Sequence, residues 1–554
     1  MKLLWRDAWI DVPGYEVPSG GVPIEVSAAI PLVAVTNASG RRQRRPGRKV
    51  AVFLFTDGPR STLRKARTKR DEPQYTSDYR TTVVLGRALP SGKQVVALAT
   101  RVPPAAQQLV IHRDLVQPVP DGFSTDDLRG VAARLSAQAD VLTQLGRQIF
   151  LYSGMEPSAG LVTALKDALA TGDVPQGQVT EVLIPPKGDG RPPDTVLRLK
   201  PTALPRGMPV AVLGGGDYTR TEIIPALRRA RLSPYAVANR EPQIAAIVGR
   251  EYGFTLATTD SERAIAETPA PGLVVVATAH DSHTQLACAA LKAGHRVFVE
   301  KPPTVTEEDV HRLVAAMRSH PGAVEIGFNR RYHPLVRRAR ARLRKEFGPV
   351  TISCVVKELT FEPDHWYFWP NQGTRITGNL CHWIDLAIFL LEDKPTPVSL
   401  TLSARTPGTE PGSGDERVLT VTFDDGSLLT VLGTTRGDDI RGVQEQIDIR
   451  RGRTTITIDD LWKMRIRSEG IERYSRTAFR DKAHTAMYRE ALGRIAAGQP
   501  SVYPVRDLVV VSAIQVAASN AARTDEHSAE LPSWLALAEP EAGITTARSG
   551  VSRQ

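Results

Sequence analysis

The sequence predicts an α/β fold built on a parallel sheet in its middle region, preceded by a β-rich region, and three patterns carry that reading. An apolar strand, Val210 to Leu213, runs through Gly214, Gly215 and Gly216 into a segment of helical periodicity. The stretch GLVVVATAHDSHTQLACAALKAGHRVFVEKPPTVTEEDVHRLVAAM then alternates strand, helix, strand, helix, the order that builds a parallel sheet with right-handed crossovers. From Ile24 to about Val116, short apolar runs separated by turn residues predict antiparallel strands in a sandwich-like arrangement.

At 554 residues the chain exceeds one hydrophobic core. Its composition, 41% apolar, 24% charged and 6% aromatic, excludes disordered and fibrous classes. No apolar run reaches the roughly 18 residues of a membrane span, and Arg6 and Asp7 interrupt the start where a signal peptide needs an apolar stretch. Cys288, Cys354 and Cys381 have no C-x-x-C spacing, so neither a zinc site nor a disulfide framework is expected and a reducing cytoplasm fits. The formal charge of +11 is local: residues 41–70 hold twelve Lys or Arg against Asp57, 12 − 1 = +11. With prolines and no interleaved aromatics, that segment reads as a solvated loop, not a nucleic-acid interface.

Within the first region (residues 1–122), LPSGK forms a hairpin turn between VVLGRA and QVVALA. Residues 123–206 hold an amphipathic helix, with Leu128, Val131, Leu135, Ala139 and Leu142 at three- and four-residue steps, and then a linker rich in Pro and Gly. Residues 207–330 form the parallel sheet, of Rossmann type. A dinucleotide's pyrophosphate sits against backbone N–H groups at a helix N-terminus, and a Cβ at Gly214 or Gly216 would hold it away. Asp217 and Tyr218 follow as cofactor contacts, and Thr219 stands where G-x-G-x-x-G has its third glycine. About twenty residues on, where NAD binders carry an acid for the ribose, this chain has Asn239 and Arg240. A guanidinium pairs with a 2′-phosphate, so NADP(H) is favoured over NAD(H). Thr278 to His283 form the loop at a strand's carboxyl end, where ligands bind, with Thr278 and His283 as candidate contacts.

Four ordered motifs, VATAHDSH, AGHRVFVEKP, GFNRRYHP and GTRITGNLCHWIDL, resemble the glucose-fructose oxidoreductase and inositol dehydrogenase family, Gfo/Idh/MocA. The resemblance runs from about Met208 to Ala522 and leaves the first two hundred residues and the last thirty unexplained. It implies a Rossmann domain followed, over residues 331–522, by an α+β substrate domain with an open, mostly antiparallel sheet, then a tail from 523. It also implies hydride transfer between nicotinamide and a hydroxyl or carbonyl carbon of a sugar, cyclitol or sugar nucleotide, in a homodimer or tetramer.

By the same resemblance Glu300, Lys301 and Pro302 form the E-K-P motif, with Lys301 catalytic and its neighbours at the cofactor. His382 shares proton transfer with Lys301. Taking hydride from an alcohol carbon requires the hydroxyl proton to leave, which needs a base at that oxygen. Many relatives carry an acid three or four residues before the histidine, where this chain has Asn379 and Gly378; an amide orients His382 or binds a hydroxyl but cannot relay a proton. Trp366, in the aromatic segment DHWYFWPNQGTR, would stack on a sugar, and Arg375 would bind a carboxylate or phosphate. Asn329 is a candidate contact for the nicotinamide carboxamide or the substrate, His333 and the following RRARARLRK read as a solvated helix face, and Asp385 as a structural pairing residue. No metal is expected. Two other readings remain: redox-assisted glycoside cleavage by tightly held NAD, and a non-catalytic cofactor-sensing or glycan-binding scaffold.

Overall fold

A computed structural model of the chain describes residues 2–5, 8–11, 13, 21–31, 81–100, 107–136, 159–170, 195–199, 207–359, 371–403, 416–437, 442–524 and 526–539. The basic segment 41–70 and Trp366 lie outside these residues. The chain forms two compact units: Met1–Ala51, Pro59–Thr278 and Ala293–His295 in the first, and Val52–Gly58, Ala279–Lys292 and Arg296–Gln554 in the second.

In the first unit, strands Gly21–Pro31, Thr81–Ala88, Gln94–Thr100, Gln108–His112 and Val116–Pro118 form one antiparallel sheet. The turn joining Thr81–Ala88 to Gln94–Thr100 closes with Ala88 N–H on Lys93 O at 2.9 Å. The layer packed on this sheet is helical. Thr125–Ser136 and Ala159–Ala170 bring Leu128, Val131, Leu135 and Leu165 into one core with Ile24, Ile30, Val84 and Leu98. A sandwich needs a second sheet there; among the described residues the helix's apolar stripe covers the strands instead.

The same unit holds a parallel array, Leu273–Val276, Pro209–Leu213, Ser233–Ala238 and Leu256–Thr258 side by side. Val210 to Leu213 and Leu273 to Val276 are essentially fully buried, as strands covered on both faces require. Val196–Arg198 pairs antiparallel with Leu256–Thr258, so a strand from the stretch expected to be linker joins this sheet.

The second unit begins with helix His283–Lys292, the parallel pair Arg296–Val299 and Val324–Ile326, and helix Glu307–Ser319, whose Thr306 and Asp309 form a capping box. A nine-stranded sheet follows, antiparallel at most pairings but parallel between Thr351–Lys357 and Leu428–Thr434. Its strands alternate: Ile352, Cys354, Leu429, Val431, Ile447 and Ile449 are buried while their neighbours are not. Helices Cys381–Leu390 and Val505–Thr524 pack with it. Val505–Thr524 is long and apolar enough to cross a membrane, yet 78% of its apolar window is buried within the fold. Its Ser512, Gln515 and Ser519 bond Thr304, Thr374 and Thr377, which makes it the core helix of this unit.

Candidate active site

The glycine turn of the first unit follows from strand geometry. Gly214 has φ +99°, and a Cβ there would stand 2.2 Å from Ala277 O. Two adjacent parallel strands therefore leave the sheet too close together for any side chain, a tighter constraint than the phosphate contact inferred from the motif. Gly216 is exposed and a Cβ on it would meet nothing within 4 Å, so open space lies before a helical segment beginning at residue 217. Thr219 stands at the third glycine position, where its Oγ1 donates to Gly214 O at 2.5 Å. Asn239 Oδ1 accepts the Gly215 N–H at 3.0 Å and Nδ2 donates to Glu241 O at 3.2 Å, so its side chain braces the turn. Arg240 is exposed just beyond strand Ser233–Ala238, Thr278 is half-buried, and Asp217 and Tyr218 are exposed, Asp217 within 3.5 Å of Arg220. Backbone N–H groups at the start of a helix, beside open space, fit a dinucleotide's phosphates.

In the second unit, strand Arg296–Val299 delivers Glu300 and Lys301, followed by a cis Lys301–Pro302 bond. Glu300 is buried; Tyr488 donates its hydroxyl to Oε1, and a Cβ on Gly327 would stand 2.9 Å from Oε2. His283 Nδ1 bonds Pro302 O at 2.7 Å and Thr284 Oγ1 donates to Pro303 O at 2.9 Å. Glu300 and His283, expected as cofactor contacts, thus hold the turn that presents the lysine.

Lys301 Nζ donates to Gly378 O at 3.1 Å. Gly378 lies in a π-helical turn, Ile376–Leu380, that enters helix Cys381–Leu390 and its His382; such turns gather at functional sites. Ser519 fixes the turn through Thr374 and Thr377 at 2.7 and 2.8 Å, and the Gln372 side chain accepts His280 N–H at 2.8 Å. Burial, then the charges of Lys301 and His283, hold His280 well below its ordinary pKa.

His382 is half-buried, its ring against Phe328 and Trp383, and its Nδ1 is buried without a hydrogen-bond partner. Burial, followed by the charges of Arg330, Lys301, His484 and Lys482, pushes its pKa well below the usual value, so the imidazole is neutral. Burial lifts the Cys381 thiol to about 12, which removes it as a nucleophile.

Two residues that sequence reasoning missed complete the surroundings. Glu445 receives Arg330 through two bonds of 2.7 and 2.9 Å and Trp383 Nε1 at 2.8 Å. Lys482 is brought down to about 7 by burial and by Arg480, against the opposing pull of Glu445. Asn329 is buried, with Nδ2 on Lys482 O at 2.6 Å and Oδ1 unpartnered. Neither Lys482 nor Glu445 belongs to a motif with recognisable spacing.

Arg375 is 1% exposed; its NH2 donates to Leu359 O at 2.6 Å and faces Glu358 at 3.5 Å. It is spent inside the fold, so the anion-anchor role is not carried further. Asn379, half-buried, donates to Glu358. His333, expected on a solvated face, is 0% exposed and caps helix Pro334–Leu343, accepting Leu335 N–H at 3.2 Å, because Leu335, Val336 and Ala339 turn that helix inward. Arg331 binds Asp385 and Asp507, also wholly inside.

A glycine turn beside open space in the first unit, and in the second a lysine held at the entry of a helix carrying a neutral histidine, are features that a nicotinamide-dependent oxidoreductase needs. Residues 208–328 match the family described as "Oxidoreductase family, NAD-binding Rossmann fold", the family that the four motifs resemble, and the N-terminal extension lies outside the match. It is 22% identical over 271 residues to inositol 2-dehydrogenase of Rhizobium meliloti (strain 1021), covering 49% of this chain and 81% of that enzyme. It is 26% identical over 221 residues to levoglucosan dehydrogenase of Pseudarthrobacter phenanthrenivorans (strain DSM 18606 / JCM 16027 / LMG 23796 / Sphe3), covering 38% and 52%. A solved levoglucosan dehydrogenase in complex with NADH and levoglucosan superposes with TM-score 0.51 at 20% identity, over 59% of this chain and 100% of that one, a likeness of fold.

Proposed function

We propose that this NAD(P)-dependent oxidoreductase interconverts a secondary alcohol and a carbonyl on a sugar, cyclitol or sugar nucleotide, with Lys301 and His382 at the reacting oxygen. The observation that carries the reading is the Lys301 Nζ bond to Gly378 O, one turn before His382. A bound nicotinamide accepts or supplies the hydride. In the oxidative direction the substrate hydroxyl donates its proton to neutral His382 as the C–H bond breaks, and the Lys301 ammonium stabilises the oxygen's developing charge. In the reductive direction the same proton returns from His382. The names of the inositol and levoglucosan dehydrogenases support a polyhydroxylated substrate.

Arg240, exposed beside Asn239 with no acid at either position, supports NADP(H) over NAD(H). We further read the chain as a cytoplasmic homodimer or tetramer whose N-terminal β-rich region is an accessory module. Titrating wild type and Arg240→Glu with NADH and NADPH, read by nicotinamide fluorescence, tests the cofactor assignment. Wild type should prefer NADPH and Arg240→Glu should reverse the preference; binding of neither nucleotide overturns the reading.

A further inference from the structure

Asn379 stands beside the lysine's carbonyl partner, Gly378, and three residues before His382, yet an amide can present either a donor or an acceptor. A second side chain decides which. Asn379 donates Nδ2 to Oε1 of Glu358, which follows strand Thr351–Lys357 and is 0% exposed. The other carboxylate oxygen, Oε2, accepts Arg417 NH2 at 2.6 Å and faces Arg375 NH2 at 3.5 Å. Space for this arrangement comes from Gly433, where a Cβ would press on Glu358 Oε2 at 3.3 Å and on Arg417 Nε at 3.4 Å.

A carboxylate between two guanidiniums can only accept, so the Asn379 NH2 group must face it and the carbonyl Oδ1 must face the other way. We propose that Glu358 is a positioning residue that locks Asn379 as a hydrogen-bond acceptor for a hydroxyl of the substrate, so that the site selects a polyol with a hydroxyl donor near the reacting carbon. The proposal rests on the oxidoreductase reading above. It assigns Glu358 no contact with substrate: a buried carboxylate acts at a distance by fixing which end of an amide is offered. An analogue lacking that hydroxyl leaves the fixed acceptor unpaired, and polar sites reject such analogues strongly.

The informative variant is Glu358→Gln. Arg417 and Arg375 still require an acceptor, so the introduced amide turns its oxygen to them and its NH2 to Asn379, which must flip and present a donor instead. Two readouts follow on the full chain. In a 15N-asparagine-labelled protein, the Asn379 side-chain NH2 pair is assigned by its loss in Asn379→Ser. It should shift strongly in Glu358→Gln and little in Tyr488→Phe; an unmoved pair overturns the locking. In steady-state assays with NAD+ or NADP+, using myo-inositol and levoglucosan as probes, Glu358→Gln should raise KM about tenfold with kcat within about twofold. In an Asn379→Ser background it should raise KM no further. Equal losses in both backgrounds, with kcat falling too, would make Glu358 merely structural and overturn the proposal. If Glu358→Gln does not fold, Asn379→Ser keeps the Glu358–Arg417 pair and alone should raise KM; an unchanged KM overturns it. Absence of turnover by wild type counts against the oxidoreductase reading, while the amide resonances still decide the locking.

Discussion

Lys482→Met removes an amine whose charge the fold opposes, and its effect on stability has a definite pH signature. The ammonium's pKa falls from the usual 10.5 to about 7, with burial the leading cause and the Arg480 and Arg330 charges outweighing the help of Glu445 and Asp460. Between pH 7 and 10.5 the unfolded chain holds this proton and the folded chain does not, so stability rises with pH across that window. Below pH 7 both states are protonated and the full cost, about 5 kcal/mol at 1.36 kcal/mol per tenfold, stays in the folded state. At pH 9 about 2 kcal/mol remains, since the unfolded amine is still mostly charged. Methionine keeps the length and apolar stem and carries no charge. The stability gain of Lys482→Met over wild type should therefore be larger at pH 6 than at pH 9 by about 3 kcal/mol. Urea denaturation of both proteins at the two pH values measures it, and subtracting wild type cancels the titration of groups that do not feel the Lys482 charge. A gain equal at pH 6 and pH 9 would refute the argument, because it would mean that Lys482 keeps its ordinary pKa in the fold.

Lys301→Met should lower kcat by about 10²- to 10⁴-fold while the nicotinamide dissociation constant, from fluorescence titration, changes little; an equal loss of cofactor binding would make the lysine a binding residue. Gly327→Ala pushes a Cβ to within 2.9 Å of Glu300 Oε2 and should lower stability by about 1–3 kcal/mol and kcat with it, read by thermal melting and initial rates. Arg331→Met leaves Asp385 and Asp507 buried without their cation and should cost about 3–5 kcal/mol at pH 7. Burial already raises the Asp385 pKa, and loss of Arg331 raises it further, so the penalty should shrink as pH falls and the acids protonate; a penalty constant from pH 5 to 8 would exclude that account.

The parts of the fold and site legible in the sequence are those a local rule fixes. The glycine run marks a strand-to-helix turn because φ +99° at Gly214 excludes side chains, and the buried parallel strands read as unbroken apolar runs. Lys301 and His382 stand out through the motifs around them. The rest depends on residues distant in sequence. Glu358 meets Asn379 only after the strand Thr351–Lys357 and the turn Ile376–Leu380 pack together, and Lys482 is lowered first by a burial that only the fold creates, then by Arg480, with Glu445 opposing and Arg330 adding to the shift from elsewhere in the chain. Arg375 looked available because arginines usually reach solvent; Glu358 and Leu359 O draw it inward. The Val505–Thr524 helix escaped notice as a core element because its buried Ser512, Gln515 and Ser519 break the apolar pattern while serving as partners for three threonines.

The distribution of charge bears on how an imidazole would serve the proposed reaction without an adjacent acid. Arg330 is balanced by Glu445, Arg417 by Glu358, and Arg331 by Asp385 and Asp507, so these four carboxylates are committed to guanidiniums. None of the four is bonded to His382, on which the charges of Arg330, Lys301, His484 and Lys482 act instead. A histidine paired with a carboxylate becomes a stronger base and holds a proton more readily; one ringed by cations gives its proton up. In the proposed reaction a carbonyl reduction would need His382 first to take up a proton, which it would then release readily, and in the oxidative direction its reluctance to hold a proton would be offset by the Lys301 ammonium lowering the alcohol's own pKa. In the proposed reaction the two residues would act as one acid–base unit, with the lysine's charge raising the acidity of the substrate oxygen and, after burial and Arg330, lowering the basicity of the imidazole.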